Sequence, residues 1–195
     1  MLTELIRALR PTVVLLFLVT LVTGLLYPAA IAGVAQAVLP VQANGSVLRD
    51  ATGQPIGSAL IAQNFAGARY FHPRPSAAGK DGFDASASAA TNLAPGSKDL
   101  RDAIAKRVSD ARADGMTGDI PADLVTTSAS GLDPDLSPEA AFLQAPRVAK
   151  ARGLDSANVK SLITAQTEEP LLGIIGERHV NVLLLNRRLD ATNPQ

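Results

Sequence analysis

The chain has 195 residues, equal numbers of basic and acidic side chains (18 each) and no cysteine. Balanced charge removes the electrostatic case for binding nucleic acid, or an anionic membrane surface through a polybasic patch. No cysteine means no disulfide, no thiolate metal site and no lipoprotein-type anchor, and the 4% aromatic content without tryptophan leaves a core of mainly Ala, Val, Leu and Ile.

Pro11 to Leu39 holds no charged residue. About 20 helical residues cross a hydrocarbon layer of about 30 Å, so the run predicts a transmembrane helix over residues 12–39. A cleaved signal peptide is the alternative. Arg7 and Arg10 form a basic start, and Ala30-Ile31-Ala32 has the small-residue form of a cleavage site. The uncharged run continues past that site, however, and Ala29, Gly33 and Ala37 recur on one helix face, where small residues let another membrane helix approach. Pro28 predicts a kink, with its ring against the carbonyl of Gly24. Arg7 and Arg10 precede the run, and the next basic residue is Arg49. The positive-inside rule then puts residues 1–11 in the cytoplasm and 40–195 outside, in the periplasm of a bacterium.

Beyond the run, Pro40 to Gly45 reads as an exit turn. Val47–Arg49 and Ile56–Ile61 read as short strands around an Asp50-Ala51-Thr52-Gly53 turn. Tyr70-Phe71-His72-Pro73-Arg74-Pro75 must be extended, because proline restricts the residue before it and lacks an N–H. Its aromatics are expected to plug the core beside the hairpin, with a ligand contact as the alternative. Residues 76–96 read as an irregular loop. Ser97 caps a helix to about Asp114, buried through Leu100, Ile104, Val108 and Ala111, with Asp102 and Lys106 paired on the wet face. Ile120–Val125 reads as a strand. Ser137-Pro138-Glu139 starts a helix that Pro146 is expected to split or kink. Asp155 caps another helix through about Gln166. Leu171–Gly176 is apolar, and Val180–Asn186 reads as a last strand before a frayed tail from Asp190. The fold class is therefore α+β: one N-terminal transmembrane helix, then a single exported domain of short strands and three or four helices.

The search for chemistry returns no catalytic residue. There is no phosphate-binding G-x-x-x-x-G-K-[ST], no H-E-x-x-H, no G-x-S-x-G and no S-x-x-K. His72 and His179 are the only histidines, which argues against a zinc site. Thr126 to Asp133 has hydroxyls, a glycine and a following helix start. It reads as a capping loop or as an anion site. Gln144 and Arg147 flank Pro146, placed to meet a ligand or a partner or to satisfy freed carbonyls.

Several of these segments occur in a telling order: Gln42-Ala43-Asn44-Gly45-Ser46, Gly57 to Phe65, Tyr70 to Ser76, Ser128 to Asp133, and Pro146-Arg147-Val148-Ala149-Lys150-Ala151-Arg152. Together they resemble the C-subunit (KdpC) family of the bacterial potassium-transporting ATPase. The resemblance implies a non-catalytic, single-span inner-membrane subunit. Its partners would be a channel-like potassium-binding subunit, a P-type ATPase subunit and a small single-span subunit. It further implies a catalytic chaperone that raises the ATPase subunit's affinity for ATP. Potassium would be handled by the partners, with no firmly bound cofactor and ATP as the possible ligand. On that resemblance Ser128, Ser130, Gly131 and Gln144 are the nucleotide-related candidates, although an external domain would not meet cytoplasmic ATP. An exported binding or scaffold protein without a nucleotide role is the competing reading.

Overall fold

The computed structural model describes residues 2–192 and divides into two compact units, residues 1–47 and 48–195. The first unit is helical. Helix α1 (Leu2–Leu21) runs through a π-helical turn (Val22–Leu26) into α2 (Tyr27–Val38), and a one-turn helix α3 (Pro40–Ala43) follows. The helix therefore starts ten residues before the expected Thr12 and carries Pro11 inside it. Thr3–Val38, 36 residues, is long and apolar enough to cross a membrane, and none of its most apolar stretch is buried. Pro28 does not end the helix. The Tyr27 N–H donates to the Val22 carbonyl, a π-type bond that widens the turn just before the proline.

The second unit opens with a hairpin of β1 (Val47–Arg49) and β2 (Pro55–Ser58), shorter than the expected strand to Ile61. Asp50 Oδ1 accepts from the Thr52 and Gln54 N–H groups, and Gly53 takes the positive φ (84°) that the turn needs. Residues 59–96 hold no helix or strand, as the Pro, Gly and Ser content predicts. Helix α4 (Lys98–Ala113) is capped by Ser97, whose Oγ accepts from the Leu100 N–H. Its Asp102 pairs with Lys98, and Lys106 pairs with Asp110, so the expected Asp102–Lys106 pair is replaced by two others. Either arrangement satisfies i,i+4 spacing, and on an exposed face neither is worth much.

Helix α5 (Ala122–Val125) occupies the segment expected to be a strand. Pro121 precedes it and Asp123 lies in its first turn, both helix-start signals that outweigh a short apolar run. Strand β3 (Asp135–Leu136) leads into α6 (Pro138–Arg152), and Gly153, at φ 67°, turns the chain into α7 (Ser156–Gln166). Helix α6 is unbroken at Pro146, contrary to expectation. The ring removes one backbone bond, but Ala145, Val148 and Ala149 around it are buried, and that packing holds the axis through the proline.

Strand β4 (Thr167–Glu168) and β5 (His179–Asn181) complete an antiparallel sheet of order β3-β5-β4, with Leu136 and Thr167 both opposite Val180. The expected last strand stops at Asn181, and α8 (Val182–Thr192) takes over. Asn181 Oδ1 accepts from the Leu184 N–H, and Val182, Leu185 and Leu189 are buried at helical spacing. Asp190 is helical and bonded, not frayed; the rest of the expected tail, residues 193–195, lies outside the described residues.

The core lies between the alanine face of α6, Val159 and Ile163 of α7, and the apolar face of α8, with Phe71 at its centre, fully buried. Two buried amides grip the irregular segment there. Asn186 Oδ1 accepts from the Phe71 N–H (2.9 Å), and its Nδ2 donates to the Phe71 carbonyl (3.0 Å). Replacing Asn186 by Leu keeps the branched side-chain skeleton but orphans both backbone groups. Unfolding of the full chain in detergent should show a loss of about 2–5 kcal/mol for Asn186→Leu. A loss under about 0.5 kcal/mol, the range of surface substitutions, would contradict this role.

Candidate functional site

The extended segment from Tyr70 to Ser76 bonds Gln144, Arg147 and the turn that holds Ser128 and Gly131. Its alternate residues face different neighbours. His72 exchanges two bonds with Gln144: its N–H donates to Oε1 at 2.8 Å, and its carbonyl accepts from Nε2 at 3.0 Å. Arg74 Nη1 meets Asp133 Oδ2 at 2.8 Å. Ser76 Oγ donates to the Gly131 carbonyl at 2.6 Å, and the Pro75 carbonyl accepts from the Ser128 N–H.

Gln144 is fully buried on α6. Its Oε1 also accepts from Arg147 Nη2 at 2.8 Å, while Arg147 Nη1 reaches the carbonyls of Ala68 (3.0 Å) and Tyr70 (3.1 Å). Gln144 and Arg147 therefore satisfy the backbone of residues 67–72, rather than carbonyls freed by Pro146. Arg152 continues the row: Nε donates to the Arg69 carbonyl and Nη2 meets Asp190, with the guanidinium carbon 4.9 Å from the Tyr70 ring centroid.

Ser128, Ser130 and Gly131 come together, as their spacing requires, in a turn where the Gly131 N–H donates to the Ser128 carbonyl. The Ser130 carbonyl accepts from the Ala89 N–H and from Ser88 Oγ. Gly131 has φ 68°, and a Cβ there would lie 2.7 Å from the Ala78 nitrogen. Only glycine fits this close approach of two loops. Ser128 and Ser130 line an open cleft of about 530 Å³ with Leu60, Ile61, Arg74 and Asp133. Gln144 lines a different cavity, of about 150 Å³, with His72, Arg107 and Asp114. The four candidates thus fall into two places, linked by the segment from His72 to Ser76.

A second cleft, of about 520 Å³, opens at the start of α6. Its charged lining is Asp123, Asp133, Asp135 and Glu177 against Arg74, Arg178 and His179. Asp123 Oδ2 already accepts from the Ser137 N–H at 2.7 Å, and Ser137 Oγ caps Ala140. Asp123 and the Ser137 hydroxyl thus satisfy two of the N–H donors at this helix start from within the chain. Burial raises the Asp135 carboxyl above the usual carboxylate range, opposed by His179. Among the described residues no group of three or more His, Asp or Glu side chains is placed to hold a metal ion.

Sequence reasoning missed three contributors: Asn186, Arg152 and the Arg74–Asp133 pair. Arg74 carried a signal, a lone cation between two prolines. Asn186 and Arg152 carried none, since the backbone groups they bond, at Phe71 and Arg69, lie 115 and 83 positions away in the chain and Asp190 lies 38 from Arg152.

On the first unit, Ala29, Gly33 and Ala37 share an exposed face of α2, and a Cβ added at Gly33 would meet nothing within 4 Å. The first unit is thus a long exposed apolar helix, and in the second unit Gln144, Arg147, Arg152 and Asn186 bond the chain's own backbone. A family model described as "KdpC: K+-transporting ATPase, c chain" matches residues 9–191. The chain is 56% identical over 189 residues to the "Potassium-transporting ATPase KdpC subunit" of Caulobacter vibrioides, covering 95% of this chain and 94% of that protein. It is 46% identical over 188 residues to the protein of that name from Geobacter sulfurreducens, covering 96% and 100%. To that of Gemmatimonas aurantiaca it is 50% identical over 190 residues, covering 95% of each. The chain belongs to the KdpC family, the c chains of K+-transporting ATPases.

The two histidines titrate in opposite directions. Burial, with Arg147 nearby, pushes His72 below its ordinary value of 6.5, against the pull of its bond to the Gly67 carbonyl. A bond to the Glu177 carbonyl, aided by Asp135 and Glu168, pushes His179 above 6.5. His72 binds a proton less readily folded than unfolded, so its contribution to stability is present above pH 6.5 and lost as pH falls below it. That of His179 is present below pH 6.5 and lost as pH rises through its raised folded value. Urea midpoints across this range should peak near the shared reference value. His72→Gln should flatten the acid side alone and His179→Gln the alkaline side alone.

Proposed function

We propose that this chain is a non-catalytic subunit of an ATP-driven potassium import complex in the bacterial inner membrane, held there by residues 12–39. The family match over residues 9–191 carries the reading. The N-terminus, with Arg7 and Arg10, is cytoplasmic, and the domain over residues 40–195 is periplasmic. The partners are the channel-like potassium-binding subunit, the P-type ATPase subunit and a small single-span subunit. The face of Ala29, Gly33 and Ala37 is the packing surface for a neighbouring membrane helix. Its support is the open space around Gly33.

The chain assists assembly and raises the ATPase subunit's affinity for ATP as a catalytic chaperone. With the domain outside, that effect is a coupling free energy transmitted through the membrane subunits. Ser128, Ser130, Gly131 and Gln144 then act on nucleotide affinity by fixing the domain's shape. One observation favours the second reading, a membrane-tethered scaffold with no nucleotide role: the Gln144 oxygen already has two donors from the chain itself.

A single preparation tests these points. The tagged chain should copurify with the other subunits, and removing it should raise the ATP concentration needed for half-maximal ATPase activity. An unchanged ATP dependence would leave the scaffold reading. Because the chain has no cysteine, Ser130→Cys reports topology alone. An impermeant maleimide should label it in intact cells, whereas labelling only after lysis would overturn the periplasmic placement.

A further inference from the structure

The apolar tip between β4 and β5 is not used by anything above. Leu171, Leu172, Ile174 and Ile175 are 67%, 82%, 82% and 58% exposed. Among the described residues of the second unit, the only other large aliphatic side chain so exposed is Leu60. The sequence marks the stretch as an apolar run, and such a run normally goes into a core. Here it points away from one. Soluble domains rarely leave contiguous aliphatic surface of this kind uncovered unless something binds it.

The tip is also built rather than loose. The Leu171 N–H donates to the Ile175 carbonyl at 2.9 Å, the Ile175 N–H donates back at 3.0 Å, and the Gly173 N–H donates to the Pro170 carbonyl at 2.8 Å. Leu172 is held at φ 56°, in the left-handed region that a non-glycine residue enters at a cost. These bonds fix the backbone under the exposed side chains, so little ordering remains for a partner to impose.

The charges around the tip narrow the choice of partner. Glu168, Glu169 and Glu177 are exposed at its base. Against these three carboxylates stand Arg178, whose Nε is engaged by Glu169 at 3.0 Å, and the His179 imidazole, 3.7 Å from Glu168. The collar is therefore acidic. Anionic lipid headgroups would be repelled by it, and membrane-seeking tips carry the opposite sign. In a two-fold contact of tip on tip between two copies of this chain, collar would face collar.

We propose that Leu171–Ile175 is a docking knob that inserts into an apolar pocket with a neutral or basic rim, on the periplasmic side of another subunit of the pump. This rests on the subunit reading given above and adds a surface to it. The aliphatic tip supplies the buried contact, and the acidic collar supplies orientation and rejects lipid.

The test uses the whole complex, purified through a tag on this chain. The unaltered chain should bring down the other subunits; if it does not, the subunit reading and the knob fall together. The double variant Leu172→Asp, Ile174→Asp should keep the chain's own melting midpoint, because both side chains are exposed, and should cut recovered partner subunits by about tenfold or more. Full recovery with the variant would overturn the knob and leave the subunit reading intact. Leu172 replaced by its diazirine analogue settles the matter independently, even if the charged variant fails to fold. A photo-crosslink to a pump subunit supports the proposal. Crosslinks only to lipid, to a second copy, or to the chain's own N-terminal helix overturn it.

Discussion

Prolines at alternate positions, 73 and 75, keep the segment Tyr70–Ser76 out of the middle of a sheet, yet Phe71 of that segment lies in the core of this domain. Pro73 and Pro75 have no N–H to give, Tyr70–Ser76 pairs with no strand, and Phe71 is nonetheless fully buried. Buried backbone groups need partners. Side chains supply them: Asn186 takes both groups of Phe71, Gln144 takes both groups of His72, and Arg147 and Arg152 collect carbonyls just upstream. Two helices thus act toward this segment as neighbouring strands would, using amides in place of peptide bonds.

The rest of the domain follows from that substitution. The long irregular region has little regular structure to hold it, so it is tied at points. Ser76 joins the Ser128–Gly131 turn, the same turn holds Ala89, and the Ala62 N–H donates to the Leu132 carbonyl. Gly131 is the position where two such ties cross, and a methyl group would separate them. Buried polar networks of this kind are costly when half satisfied and rigid when complete. Rigidity suits a subunit that must present fixed surfaces to neighbours.

Much of this architecture was legible in the sequence. The apolar run, the caps at Ser97, Ser137 and Asp155, the Asp50–Gly53 turn and the absence of regular structure after the prolines all follow from local chemistry, and local chemistry is what a sequence displays. The failures have two causes, packing that overrides a local signal and an apolar run whose type a single cap decides. Pro146 breaks a helix locally, but α6 is held by the packing of Ala145, Val148 and Ala149. Val182 to Leu185 is a continuous apolar run, which fits a buried strand or a buried helix equally; Asn181 as an N-cap decides for the helix. For the candidate site, the spacing of Ser128, Ser130 and Gly131 gave the turn. Nothing in the spacing could show that Gln144 points at His72, 72 positions away. Long-range polar pairing leaves no periodicity to read.

The central claim is that side-chain amides, not a sheet, hold the buried extended segment. Hydrogen exchange at two amides tests it most directly. In the full chain the Phe71 and His72 N–H groups should exchange as slowly as core amides of α6 such as Val148, and Gln144→Ala should speed His72 selectively. Exchange of His72 in the unaltered chain as fast as the exposed loop amides around Ala85 would contradict the account.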